Sequence, residues 1–140
     1  MKHLKELFDN PADWKYTHMY GQMIRAEFLI DNQLYVMSLD YAENNNLFPG
    51  FPDIMWELVF LRGDETGIQG TGSQFTVFST VADFLMDAVD KCQIDCVAFS
   101  AKEPSRVRLY TVFARKLEKD LGWKCLIDDS QVETYFIFKR

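Results

Sequence analysis

Positive charge is in short supply here. Fifteen Lys and Arg stand against twenty-one Asp and Glu in 140 residues, a formal net charge of −6. Nucleic-acid phosphates are held by a net basic surface or a basic stripe, so this balance argues against a general DNA or RNA binder. It leaves room for one phosphorylated ligand held by backbone amides. Cysteine is also scarce. Cys92, Cys96 and Cys125 are an odd set in apolar stretches, which reads as reduced, buried thiols rather than a disulfide framework. Cys92 and Cys96 have no second close Cys or His pair to complete a zinc site, so no metal is expected. The two histidines, His3 and His18, have no Ser or Cys and acid arrangement around them and read as surface residues. No uncharged apolar run approaches the roughly 20 residues that cross a bilayer. Met1 to Leu7 has no apolar core of the kind a secretory signal carries. A cytoplasmic protein without a membrane partner is the expectation.

What is present is a core's worth of apolar side chains. Nearly half the residues are hydrophobic and 15% are aromatic, which suits one domain over 1–140 with aromatic-faced sheets. Glycine is concentrated in one place, the stretch Gly67-Ile68-Gln69-Gly70-Thr71-Gly72-Ser73-Gln74. Directly after it, Phe75, Phe78, Val81, Ala82, Leu85, Ala88, Val89 and Cys92 repeat at helical spacing. A glycine loop opening a helix presents backbone N–H groups at the positive end of the helix dipole, which suits a phosphate.

Residues 2–8 read as a short helix or turn that Asn10-Pro11 ends. Within the first twenty residues, Trp14, Tyr16, Met19 and Tyr20 form an aromatic stretch, either a short helix or an edge strand. The core is expected over 21–140. Met23 to Ile30 and Leu34 to Tyr41 alternate as strands across an Asp31-Asn32-Gln33 turn. Ala42 to Asp53, with three Asn, two Pro and a Gly, is a loop long enough to serve as a functional flap. Ile54 to Leu61 is apolar on both faces apart from Glu57, as a central strand would be. Asp95 to Ser100 is a short buried strand, and the helix before it implies a crossover and a locally parallel pair. A second helix opens at Lys102-Glu103-Pro104-Ser105, with Val107, Tyr110, Phe113, Ala114, Leu117 and Leu121 as its apolar stripe and Gly122 as its stop. Trp123 to Ile127 and Val132 to Phe138 make a final hairpin.

This order of elements resembles the GNAT superfamily, the GCN5-related N-acetyltransferases, over about residues 20–140. The resemblance implies an α+β fold: a mixed, mostly antiparallel sheet of about six strands with helices on both faces. The family's pyrophosphate loop reads Q/R-x-x-G-x-G/A. Gly70-Thr71-Gly72 matches its G-x-G portion, while the Gln or Arg position falls on Gly67 and Gln69 is out of phase. A second likeness lies in Pro104-Ser105-Arg106-Val107-Arg108-Leu109-Tyr110 followed by Leu121-Gly122-Trp123, with the Tyr-to-Gly distance about two helical turns longer than usual. The pattern is also similar to that of GNAT-like proteins of tailed bacteriophages.

The resemblance implies an acyl-CoA-dependent N-acyltransferase that moves an acetyl group from acetyl-CoA to an amine. Amides of Gly70, Thr71, Gly72, Ser73 and Gln74 would meet the CoA pyrophosphate, and Arg106 a CoA phosphate. Tyr110 would inherit the family's role of protonating the departing thiolate. Glu57, on the third strand, is the candidate base for the amine proton. Each has a plainer reading: a tight glycine turn, a solvated arginine, a solvent-facing glutamate, a core tyrosine. The alternative function is a GNAT-fold scaffold without catalysis that binds a protein partner, such as a phage-encoded modulator of a host protein. The open edges of a small mixed sheet are compatible with a homodimer.

Overall fold

A computed structural model describes residues 11–62, 65–66 and 74–140. The helix expected over 2–8 and the glycine-rich positions 67–73 lie outside the described residues. Those described form β1 (Trp14–Tyr20), β2 (Met23–Ile30), β3 (Gln33–Glu43), β4 (Ile54–Arg62), β5 (Glu65–Thr66), α1 (Gln74–Lys91), β6 (Cys96–Ala101), α2 (Pro104–Leu121), β7 (Lys124–Asp128) and β8 (Thr134–Lys139). That is eight strands against the six or so expected. One of the additions is β1, so the aromatic stretch is a strand. The chain divides into two compact units, Met1–Asp40 with Leu58–Gln93, and Tyr41–Glu57 with Ile94–Arg140.

In the first unit, β1, β2 and β3 are antiparallel neighbours, and β5 pairs with the end of β4. The β2–β3 hairpin turns on Asp31 (φ 53°) and Asn32 (φ 64°), between Ile30 and its partner Gln33. Two successive left-handed residues match the twist of the flanking strands, and Asp and Asn tolerate that region. Alternation places Ile24, Ala26 and Phe28 of β2 beside Leu39, Met37 and Tyr35 of β3. All six are buried. Helix α1 belongs to the same core through Phe78, Phe84 and Leu85, each fully buried, with Phe60 edge-on to Phe78 at 5.9 Å between ring centroids. Fully burying such a side chain is worth roughly 1.5–3 kcal/mol. Strand β1 and Ala12, just before it, are tied to α1 by three hydrogen bonds. Ala12 N–H donates to Thr80 Oγ1 at 2.8 Å, Trp14 Nε1–H to Asp83 at 2.8 Å, and the Tyr16 hydroxyl to Asp87 at 2.6 Å.

In the second unit, β6 is antiparallel to β8, and β8 to β7. The start of β4 is parallel to β6 through the pairs Trp56–Val97 and Glu57–Ala98. The expected parallel pair is therefore present. Helix α2 packs on the face that carries Phe99 and Phe136. Phe113 lies 5.6 Å and Tyr110 6.0 Å from Phe99, and Phe136 stacks on Phe99 at 5.0 Å. Pro104 opens this helix, and Gly122 closes it at φ 69° with its N–H on the Glu118 carbonyl at 3.0 Å. The opposite face is covered by the loop between β3 and β4, where Phe48 joins Met55, Cys96 and Ile137 in a buried cluster.

Candidate functional site

The loop that covers this second face is built around one side chain. Asn44 is only 4% exposed. Its amide Nδ2 donates to the carbonyls of Phe48 at 2.8 Å and Phe51 at 3.2 Å, and its Oδ1 accepts the Phe48 N–H at 2.8 Å. The Asn44 backbone N–H reaches Asp53 O at 2.7 Å and closes the base of the loop. Asn45 (φ 49°) and Asn46 (φ 63°) take the left-handed turn between. Asparagine fits these positions because its short amide bonds to nearby backbone and tolerates positive φ.

Beside this loop opens a pocket of about 330 Å³. Strand alternation decides what faces it. Met55 and Glu57 share one face of β4; Glu57 pairs with Ala98, and Ala98 with Ile137. Ser100 and Tyr135, a cross-strand pair, lie two residues further along on the same face. The floor is apolar, from Phe48, Met55 and Ala98, and the polar lining comes from Glu43, Asn44, Glu57, Ser100, Glu133 and Tyr135. The Tyr135 ring stands edge-on to Phe48 at 5.3 Å. Three carboxylates give the pocket a negative field that favours a cationic group such as an ammonium. Lys102 approaches Glu133 at 3.9 Å but is 79% exposed, so it offsets little of that field. Burial raises the Tyr135 phenol above its usual range, and the nearby charges of Glu133, Glu57 and Asp128 push it the same way.

The expected site residues are distributed as follows. Glu57 lines the pocket. Tyr110 is 5% exposed and packs against Phe99 and Phe136, on the opposite face of β6 from Ala98, Glu57's pairing partner. Burial raises its hydroxyl, and the Arg106 guanidinium beside it opposes that. Arg106 stands in the first turn of α2, with Nε 3.4 Å from Glu103; its Nη1 is buried and lacks a hydrogen-bond partner. Gln74 is the first residue of α1, whose first turn carries no acidic side chain. Gly70, Thr71, Gly72 and Ser73 lie outside the described residues. Cys96 is buried, while Cys92 and Cys125 are half-buried, and all three are free thiols. Among the described residues no group of three or more His, Cys, Asp or Glu is placed to hold a metal ion, and no helix is long and apolar enough to cross a membrane.

The sequence reading missed Tyr135, Asn44, Glu43 and Glu133. Tyr135 was hidden because both faces of Tyr135-Phe136-Ile137-Phe138 are apolar, so alternation alone did not show which face met the pocket. Asn44 sat unnoticed in a polar loop of three asparagines.

No protein-family model and no curated protein matches this sequence significantly. Solved structures do. The chain is similar to the GNAT domain of PAT from S. lividans, at 18% identity and a TM-score of 0.54, over 88% of this chain and 64% of that one. A GNAT-family acetyltransferase from Streptococcus pneumoniae aligns at 8% identity and a TM-score of 0.42, over 84% of this chain and 66% of that one. A protein described as a probable acetyltransferase aligns at 14% identity and 0.43, over 85% and 62%. The chain thus spans less than two thirds of the length of each. At such identities the likeness to the S. lividans domain is one of architecture. The fold of this chain is similar to that of the S. lividans GNAT domain.

Proposed function

We propose that the protein is an acyl-CoA-dependent N-acyltransferase that moves an acetyl group from acetyl-CoA to an amine. The observation that carries this reading is the place of Glu57: on β4, within its two-residue parallel pairing with β6, in a pocket shared with Glu43 and Glu133. Carboxylates there favour an acceptor that arrives as an ammonium. Glu57 then takes the proton the nitrogen must lose before it attacks, directly or through one water. The thioester supplies the activated acyl group. For its phosphates the reading assigns the amides of Gly70, Thr71, Gly72, Ser73 and Gln74, at the start of a helix without first-turn carboxylates. Arg106, with a buried N–H lacking a partner, suits another anionic oxygen. The family resemblance gives the leaving-sulfur proton to Tyr110, a side chain that packs on Phe99 and Phe136 and does not line this pocket.

Calorimetry of acetyl-CoA into the full chain tests this. Micromolar binding that disappears in Gly72→Glu supports the reading, because a carboxylate among the amides repels pyrophosphate. Absence of heat with both acetyl-CoA and CoA would sink it. A second reading, protein docking without chemistry, draws on exposed apolar side chains at and beside the pocket: Leu47 is 54% exposed and Val132, next to Glu133, 97%.

A further inference from the structure

We infer that Tyr135 is the proton donor to the leaving group in the pocket that Glu57 lines. This rests on the acyl-transfer reading above and gives that site its acid. Base and acid must both reach the reacting atoms, which requires that they open onto one cavity. Glu57 and Tyr135 line the same pocket. The register explains why. Glu57 pairs with Ala98, Ala98 with Ile137, and Tyr135 precedes Ile137 by two residues on the same face. Tyr110 is on the other face of these strands, enclosed by Phe99 and Phe136.

Tyr135 is also held as a donor needs to be. Its ring rests edge-on against Phe48, within the loop that Asn44 pins. Burial first, and then the carboxylates of Glu133 and Glu57, oppose its ionisation, so the phenol enters the reaction protonated. In the step itself, the amine nitrogen bonds to the acyl carbon and the carbon–sulfur bond breaks with its electron pair on sulfur. Tyr135 gives its phenolic proton to that sulfur, and Glu57 takes the proton the nitrogen releases. Glu57 passes to solvent both this proton and the one the ammonium loses before attack, and solvent returns a proton to the phenolate. Amine and thioester become amide and thiol, with nothing oxidised or reduced.

The test is steady-state acetylation of a panel of primary amines by the full chain, followed by mass spectrometry, for wild type, Tyr135→Phe and Tyr110→Phe. Phenylalanine keeps the ring that packs on Phe48, so an unchanged melting temperature certifies the fold. Tyr135→Phe is expected to lower kcat by about 10²-fold or more, with KM for acetyl-CoA within about threefold. It should also abolish the fall of kcat at high pH that loss of the phenolic proton causes, and it should cost more than Tyr110→Phe. A Tyr135→Phe enzyme with kcat within about twofold of wild type and that high-pH fall intact overturns the inference, as does a larger loss from Tyr110→Phe. Wild type that acetylates no amine and binds no acetyl-CoA overturns this inference and the parent reading together. Failure of the inference alone shows only in the variants.

Discussion

Replacing Asn44 with alanine removes three hydrogen bonds from a buried position in one step. The Phe48 N–H loses its acceptor, and the carbonyls of Phe48 and Phe51 lose their donor. A buried donor left without a partner costs about 1–3 kcal/mol, and each further bond about 0.5–1.5 kcal/mol. The carbonyls recover part of that by turning towards water, so the net loss is about 2–4 kcal/mol. That is a large share of the 5–15 kcal/mol typical of folded domains. With a urea m-value of about 1–3 kcal/mol/M, the unfolding midpoint falls by roughly 1–2 M. Asn44→Asp at neutral pH does at least as much damage, because a carboxylate then faces two carbonyl oxygens. Urea unfolding followed by tryptophan fluorescence reads all three proteins. A midpoint within about 0.3 M of wild type for Asn44→Ala would show that the loop holds its shape without this side chain.

Other perturbations follow from the same geometry. Tyr16→Phe deletes the hydroxyl that donates to Asp87 and should cost about 1 kcal/mol by urea unfolding. That bond is also the main reason Asp87 sits below its usual carboxylate range. The stability it contributes is therefore present above the unfolded Asp pKa and is lost as pH falls through the lower folded value. Tyr16→Phe should flatten stability against pH on the acid side, and parallel acid profiles would refute the linkage. Gly122→Ala puts a Cβ on a left-handed helix stop at φ 69° where no atom lies within 4 Å, so backbone strain alone should cost about 1 kcal/mol. Cys96 and Cys125, both pushed up to about 11 by burial first, should react slowly with a disulfide reagent at neutral pH, and complete labelling of both within seconds would contradict their burial.

Much of the architecture was legible because the strongest sequence patterns and the tertiary contacts agree. The helical repeat from Phe78 to Val89 is buried, and so is the stripe of α2 through Tyr110, Phe113, Ala114 and Leu117. The strand that contains Val97 and Phe99 pairs in parallel with β4, as a helical crossover requires. The patterns blur where a local irregularity intervenes. The register of β1 shifts between Tyr16 and His18, which breaks the alternation that marks a strand. The last strand begins at Thr134 rather than Val132, because Val132 is almost fully exposed in the preceding turn. The pocket was the least legible feature. Its members come from four separated segments, joined by a register and a loop that only the folded backbone supplies. Glu57 was accessible to sequence reasoning as the one charge within the apolar run Ile54 to Leu61; Tyr135 and Asn44 had no such contrast with their neighbours.

The most direct measurement is the acetyl-CoA-dependent acetylation rate of primary amines with wild type and Glu57→Gln, an isosteric change that removes the base and keeps the pocket's shape. Wild-type turnover with a loss of about 10²–10⁴-fold in kcat/KM for Glu57→Gln is the predicted result. Equal turnover in the two proteins, or none in either, would contradict the assignment of proton transfer to this pocket.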